Sequence, residues 1–375
     1  MLKVLINAQP MTVVGTGIGR YLRGLSAVCE AGCRDSVRLS WFTGRAVVDD
    51  PPPGRGAGWR ERIGQLLWRM PHPVAYGARL LRHGVTERNF GTACRGFDVY
   101  HEAGYFPLGR GGAKKTVLTV HDLSLLRFPH HHPRERVRFF RRYFMDRLPW
   151  VDGFCAVSEF TRREMIELLP VAPEKITVTP LGFDEKRFNV TDDPDARTFL
   201  REAGVPREFV LFVGSGDPRK NLDSALAGLN AAQAAVPLVT VGWSGWHRAG
   251  PGGTINLGYV SDRGLAQLYR SARLLIMPSE YEGFGLPVLE AMACGCPVVT
   301  SGAEALQEVG GDAVVAVQDV GDPRTLGGAV REVLDSDGTR DRLSRDGLVR
   351  AGAFSWSGTA EKTISRWRGG EPETV

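Results

Sequence analysis

Three stretches of this chain combine residue types and spacings suited to phosphate and sugar chemistry. The longest is Ser279–Val299 (SEYEGFGLPVLEAMACGCPVV), with two carboxylates, Glu282 and Glu290, separated by seven residues. Between them Gly283, Phe284 and Gly285 form a turn that exposes backbone N–H groups. Leu286 and Pro287 follow, and Pro favours the first turn of a helix. Paired carboxylates grip sugar or ribose hydroxyls, and a nest of N–H groups suits phosphate. The second stretch, Gly214–Asn221 (GSGDPRKN), directly follows the apolar run FVLFV. A glycine turn at the C-terminal end of a parallel strand is where open α/β sheets bind ligands. Arg219 and Lys220 offer two cations to a diphosphate there, or are simply solvated on a turn. The G-K-[ST] ending of a P-loop is missing, which argues against an NTPase.

The third stretch, Gly15–Arg20 (GTGIGR), precedes an expected helix at Arg20–Cys29. Gly17 and Gly19 would let the backbone approach a phosphate at the helix N-terminus. The G-x-G-x-G spacing departs from the dinucleotide fingerprint, so a plain turn is an equal reading. His121-Asp122 closes a strand-like run and reads, from the residues alone, as either structural or ligand-facing. Asp193-Pro194-Asp195 and Asp335-Ser336-Asp337 have D-x-D form but sit in a polar stretch and a surface turn. No metal and no cofactor is expected, because Arg219 and Lys220 supply the cation a metal would otherwise provide. The six cysteines form no C-x-x-C pair; Cys294 and Cys296 lie in an apolar run and read as small buried residues of a reducing, cytoplasmic protein.

These groups need rigid elements to position them. With 375 residues, 43% hydrophobic and 24% charged, the chain has the size of two domains and an ordinary globular composition. It has no apolar run of 18 residues, and MLKVLINAQP reads as a first strand rather than a leader. Strand-type runs at Lys3–Ala8, Val37–Phe42, Val99–His101, Thr116–Val120 and Gly153–Val157 alternate with helical segments. A second series follows at Phe209–Val213, Leu238–Val241, Ile255–Leu257, Leu274–Met277 and Pro297–Thr300, with helices expected at Leu222–Ala235, Asp262–Ser271 and Pro287–Ala293. That alternation predicts an α/β class with parallel sheets. The polar stretch Asn189–Arg201 reads as a linker between the two series, and residues 50–58 (DPPPGRGAG) as a mobile loop.

Charge is unevenly placed. The net +5 divides into +11 over residues 1–180 and −6 over residues 181–375. Arg-rich codon usage would explain Arg over Lys but not this division, which suggests that the first half meets an anionic surface or substrate. Residues 134–148 (RERVRFFRRYFMDRL) form a basic helix with Val137, Phe140, Phe144 and Leu148 on one face. That face either packs on a core or docks on anionic lipid.

The stretch from Ser279 resembles the E-x7-E signature of the retaining glycosyltransferases of family four. Similar segments run along nearly the whole chain: Gly17–Leu22, Val120–Pro129, Val157–Arg163, Pro173–Asp184, Asp217–Asn221, Leu257–Asp262 and Phe354–Trp367. The nearest likeness is to the mannosyltransferase-like branch that builds bacterial O-antigen and capsule chains. The resemblance implies a GT-B fold, two Rossmann-like domains facing a cleft, with a C-terminal helix crossing back to the N-terminal domain. The expected domains are an acceptor-binding 1–187, joined by the returning helix 355–375, and a donor-binding 188–354.

The resemblance also implies residue roles. Glu290 would hold ribose, and Glu282 with the amides of Gly283, Phe284, Gly285 and Leu286 would meet donor sugar and phosphate. Lys220, with Arg219, would neutralise the leaving diphosphate. Gly17, Gly19 and Gly214 would line the donor site, and Tyr259 and Val260 the nucleobase pocket. His121, beside Asp122, would contact the donor sugar. Two departures stand out: Ser215 replaces a frequent Arg, and Gln307 replaces a usual Pro before Glu308. The implied reaction transfers a hexose, mannose from GDP-mannose first and a UDP-hexose second. The acceptor is a saccharide or polyprenyl-pyrophosphate-linked saccharide at the inner face of the cytoplasmic membrane; no nucleic acid is involved. A sugar-nucleotide epimerase and a non-catalytic nucleotide-sugar or glycan-binding subunit are the rival readings.

Overall fold

Short runs rich in Val, Leu and Ile, buried on both faces, are the signature of parallel strands covered by helices on either side. The computed structural model describes residues 1–12, 16–33, 35–53, 72–109, 112–191, 193–242 and 254–370. The chain divides into two units, Met1–Gly182 with Trp356–Val375, and Phe183–Ser355. Gly15, most of the loop expected at 50–58 and the Asp192 position lie outside the described residues.

In the first unit the strands are β1 (Leu2–Asn7), β2 (Val37–Phe42), β3 (Val47–Val48), β4 (Val99–Glu102), β5 (Lys115–Val120), β6 (Gly153–Ala156) and β7 (Ile176–Val178). Their order is β3-β2-β1-β4-β5-β6-β7, parallel except for the β2–β3 pair. Helices α1 (Gly17–Gly32), α2 (His72–Ala93), α3 (Ser124–Arg127), α4 (Arg134–Arg147) and α5 (Glu159–Leu168) connect them. The apolar face read on α4 packs inward: Val137, Phe140, Phe144 and Leu148 join a core with Leu118, Phe154 and Ile176. Each such buried side chain contributes about 1.5–3 kcal/mol. Most of the arginines of α4 stay outside, but Arg147 is buried.

In the second unit α6 (Ala196–Glu202) precedes β8 (Val210–Val213), α7 (Leu222–Ala231), β9 (Leu238–Val241), β10 (Thr254–Asn256), α8 (Asp262–Ser271) and β11 (Leu274–Met277). Then come α9 (Leu286–Ala293), β12 (Val298–Ser301), α10 (Glu304–Gly310), β13 (Val315–Val317), α11 (Pro323–Asp335) and α12 (Asp337–Ala351). The sheet order is β10-β9-β8-β11-β12-β13, with every pair parallel. The core lies between this sheet and α7 and α11, around Phe212, Leu229, Leu326 and Val330.

The chain's last helix, α13 (Trp356–Arg368), belongs to the first unit. Gly24 of α1 admits it: a Cβ there would meet the Trp356 ring at 2.2 Å. The Thr359 hydroxyl donates to the Pro180 carbonyl (2.6 Å), and the Trp367 indole N–H donates to His101 Nδ1 (2.7 Å).

Two expectations need correction. The stretch read as a linker is part of the second unit: Arg263 of α8 donates to Asp193 (2.8 Å) and Asp195 (2.7 Å), and Phe199 of α6 lies under Gly264. Its polarity reflects ion pairing to a neighbouring helix, a long-range relation that composition does not reveal. Gly17 and Gly19 do not precede their helix but form its first turn. Thr16 is the cap, its hydroxyl accepting from the Gly19 N–H (3.1 Å). The three-residue strands β7 and β13 and the two-residue β3 escaped the sequence reading because they are too short to carry a periodic signal.

Candidate active site

Each sheet reverses its strand order once, between β1 and β4 and between β8 and β11. Such switch points open a crevice beyond the C-terminal strand ends, where open α/β sheets bind ligands.

At the second unit's switch point, Lys220, after β8, donates through Nζ to Glu282 Oε1, after β11, at 2.5 Å. Both side chains are largely buried, 19% and 12% exposed. The Glu280 N–H, in turn, donates to the Arg219 carbonyl (2.9 Å), so the two loops are joined by backbone as well. Arg219 takes a different partner: its guanidinium forks onto Asp217 (Nη2–Oδ2 2.8 Å, Nε–Oδ1 3.2 Å) and lies over the Tyr281 ring. The two adjacent cations therefore have separate carboxylates. Asp217, which the sequence reading passed over as part of a turn, is the residue that orients Arg219. A carboxylate two residues before an Arg in a post-strand glycine turn was the available signal.

Glycines bring the loops together. Gly214 N–H donates to the Val241 carbonyl (2.9 Å), and Gly242 N–H to the Gly258 carbonyl (2.8 Å). Gly242, at φ +130°, sits so near the Gly214 carbonyl that a Cβ would approach it to 2.1 Å. Tyr259 and Val260 follow Gly258 on the loop after the edge strand β10, with Tyr259 51% exposed. Gly283, Phe284 and Gly285 lead into α9; Gly285 adopts φ +114°, a conformation that side chains avoid, and caps the helix. Leu286 is its first residue. Glu290, one turn in, is buried at 1% exposure and accepts from the Tyr269 hydroxyl (3.4 Å). Glu308 lies on α10.

The first unit's switch point is built from neutral groups around one carboxylate. Asn7, ending β1, donates through Nδ2 to both oxygens of Glu102, ending β4 (3.0 and 2.9 Å). Tyr100 donates its hydroxyl to Oε2 (2.5 Å) and Gly104 its N–H to Oε1 (2.6 Å). Burial pushes the Glu102 carboxyl up to about 7, although these donors pull the other way.

His121, just past β5, is half-buried and donates from Nε2 to the Ala103 carbonyl (3.2 Å). Because a carbonyl only accepts, the neutral ring carries its proton on Nε2 and leaves Nδ1 as an acceptor. Burial lowers its pKa to about 4, against the opposing pull of Asp122, so the ring is neutral at pH 7. Asp122 accepts from the Ser124 N–H (2.9 Å). The Tyr21 ring meets the His121 ring edge-on, centroids 5.2 Å apart. Behind them His101, fully buried, takes the Trp367 indole N–H on Nδ1, while its Nε2 lies 2.9 Å from the Thr119 hydroxyl. Burial and the nearby His121 hold its pKa down at about 3. Asn7, Glu102, Tyr21 and His101 were missed because the contacts that join them, Asn7 to Glu102, Tyr21 to His101 and His101 to Trp367, span 95, 80 and 266 residues of sequence.

Lys220 and Glu282 are thus directly joined. Gly214, the 283–286 turn and Glu290 lie on the same switch-point elements, Tyr259 and Val260 at the sheet edge. His121, Asp122, Gly17 and Gly19 belong to the first unit. Among the described residues no group of three or more His, Cys, Asp or Glu could hold a metal ion.

Two Rossmann-like units, each with a furnished switch point, define the GT-B glycosyltransferase class of fold. Solved structures share it: sucrose-phosphate synthase from Thermosynechococcus elongatus (TM-score 0.68, 20% identity, 98% of this chain and 99% of that one), and WaaG, a glycosyltransferase involved in lipopolysaccharide biosynthesis (TM-score 0.66, 18% identity, 99% and 100%). Residues 17–187 match Glycosyltransferase Family 4, and residues 199–349 match Glycosyl transferases group 1. The chain belongs to this glycosyltransferase family. It is 30% identical over 387 aligned residues to the O-antigen chain mannosyltransferase B of Escherichia coli, across 98% of this chain and 100% of that one.

Proposed function

We propose that this chain is a retaining mannosyltransferase of surface-polysaccharide synthesis, transferring mannose from GDP-mannose to a saccharide or polyprenyl-pyrophosphate-linked saccharide. The observation that carries the reading is the Lys220–Glu282 pair across the second switch point, beside the Gly283–Gly285 turn at the start of α9. Breaking the sugar–phosphate bond puts negative charge on the departing diphosphate. Lys220, aided by Arg219 and the amides from Gly283 to Leu286, stabilises that charge, with the Gly214 turn giving room for the phosphates. Glu282 then exchanges its lysine partner for donor hydroxyls, and Glu290 holds the ribose. Tyr259 and Val260 line the base. In the first unit Asp122 and the Nδ1 lone pair of His121 serve the donor sugar, and Gly17 and Gly19 keep the α1 terminus open to phosphate.

Retention follows from attack on the face the diphosphate leaves: the acceptor oxygen bonds to the anomeric carbon, the carbon–oxygen bond to phosphate breaks, and the leaving phosphate takes the acceptor's proton. Glu282 and Glu290 are not a glycosidase acid–base pair. With side-chain cations at the diphosphate, the reaction proceeds without a metal.

The name of the Escherichia coli relative supports mannose and O-antigen assembly. The exposed arginines of α4, Arg134, Arg138, Arg141 and Arg142, support peripheral attachment to an anionic membrane at the cytoplasmic face. The test is a thermal-shift and hydrolysis screen over nucleotide sugars. GDP-mannose is expected to raise the melting temperature and be turned over; indifference to GDP and UDP sugars alike would refute the assignment.

A further inference from the structure

We propose that Tyr105, backed by Arg136, is a stacking platform for the acceptor saccharide. The inference rests on the transferase reading above and adds a residue on the acceptor side.

The segment from Ala103 to Gly109, leaving β4, is pinned at nearly every residue. Gly104 N–H is held by Glu102 (2.6 Å) and Leu108 N–H by the Tyr100 hydroxyl (3.2 Å). The Pro107 carbonyl accepts from buried Arg147 (2.6 Å), and Gly109 N–H donates to Glu87 (3.1 Å), itself paired with Arg147 (2.6 Å). Ala103, Pro107 and Leu108 are buried. In the middle of this fixed loop Tyr105 stands 49% exposed. Its own ring is fixed too. Arg136 of α4 donates to the phenol oxygen (2.6 Å), its guanidinium carbon lies over the ring 5.2 Å from the centroid, and Phe140 meets the ring edge-on at 6.4 Å.

An exposed aromatic ring locked in one orientation has already lost the rotamer freedom that binding would otherwise remove. The C–H face of a pyranose carries partial positive charge and packs on the negative face of such a ring. An acyl chain would need a wide apolar patch, whereas Tyr105 is one ring beside a guanidinium. The location also fits. Tyr105 is two residues beyond Ala103, so its backbone lies within about 7 Å of the residue whose carbonyl orients His121. A saccharide on Tyr105 is thereby next to the residue assigned to the donor sugar.

The test uses the full chain with α-linked mannobiose as probe, read by saturation-transfer NMR. Tyr105→Ala is expected to weaken mannobiose binding about tenfold, and Tyr105→Phe, which keeps the ring but loses the Arg136 bond, to stay within about twofold of wild type. With GDP-mannose as donor, Tyr105→Ala should raise the acceptor KM by the same factor and leave kcat and the donor KM unchanged. Equal mannobiose binding by Tyr105→Ala and wild type, or none by wild type, would overturn the proposal. Should wild type ignore GDP-mannose while mannobiose binding still depends on Tyr105, the donor assignment fails and the saccharide subsite stands.

Discussion

The two switch points occupy the same place in their sheets and are furnished in opposite ways. In the second unit the crossing is an ion pair, Lys220 to Glu282, beside a second pair, Arg219 to Asp217. In the first unit the crossing is an amide on a carboxylate, Asn7 to Glu102, backed by histidines that burial keeps neutral. Paired charges hold a cation ready to be handed to an arriving anion at little reorganisation cost. Mutually satisfied groups instead fix positions: the donors around Glu102 and His101 are committed to acceptors within the same unit, so the strand ends and α13 keep one geometry. One switch point is built to exchange partners, the other to stay still.

The largest expected effect tests the exchangeable side. Lys220→Met should lower the rate of transfer about 10²–10³-fold with circular dichroism unchanged; a near-normal rate would remove the ion pair from the reaction. The fixed side is probed by acid. His121 has a folded pKa of about 4 against 6.5 for an ordinary histidine, and His101 about 3. For these two histidines the unfolded chain binds more protons over this interval, so their contribution to stability is complete above about pH 6.5 and falls as pH drops towards 4, while Glu102, raised to about 7, works in the opposite sense. The difference in melting temperature between wild type and His121→Gln should narrow over that range. A constant difference would mean that His121 is not held neutral by the fold. The smallest effect concerns one hydrogen bond: Trp367→Phe leaves His101 Nδ1 buried and unpaired, costing about 1–3 kcal/mol, at roughly 2–4 °C of melting temperature per kcal/mol for a unit of this size. An unshifted melting temperature would show that α13 does not depend on this contact.

Much of this was legible in one dimension. The strands Val37–Phe42, Leu238–Val241 and Leu274–Met277 and the helix Asp262–Ser271 lie where the sequence pattern places them. The apolar face of α4 followed from its period; that it packs on the core rather than on lipid was decided by the structure. The stretches around Lys220, Glu282 and Glu290 were visible because glycine, proline and carboxylate spacing is a local property. What escaped were relations between distant segments: the pairing of Asp193 and Asp195 with Arg263, and that of buried Arg147 with Glu87 and the Pro107 carbonyl.

The sequence by itself determined the α/β class, the family and the stretches that carry charge, since periodicity, turn chemistry and short motifs are written within a few residues. Only the tertiary structure decided which carboxylate each cation takes, that Glu102 is buried among donors, that two histidines are neutral with assigned tautomers, and that Tyr105 stands fixed and exposed. Those properties depend on burial and on partners up to 266 residues apart, and solvent exclusion and hydrogen-bond geometry exist only once the sheets have formed.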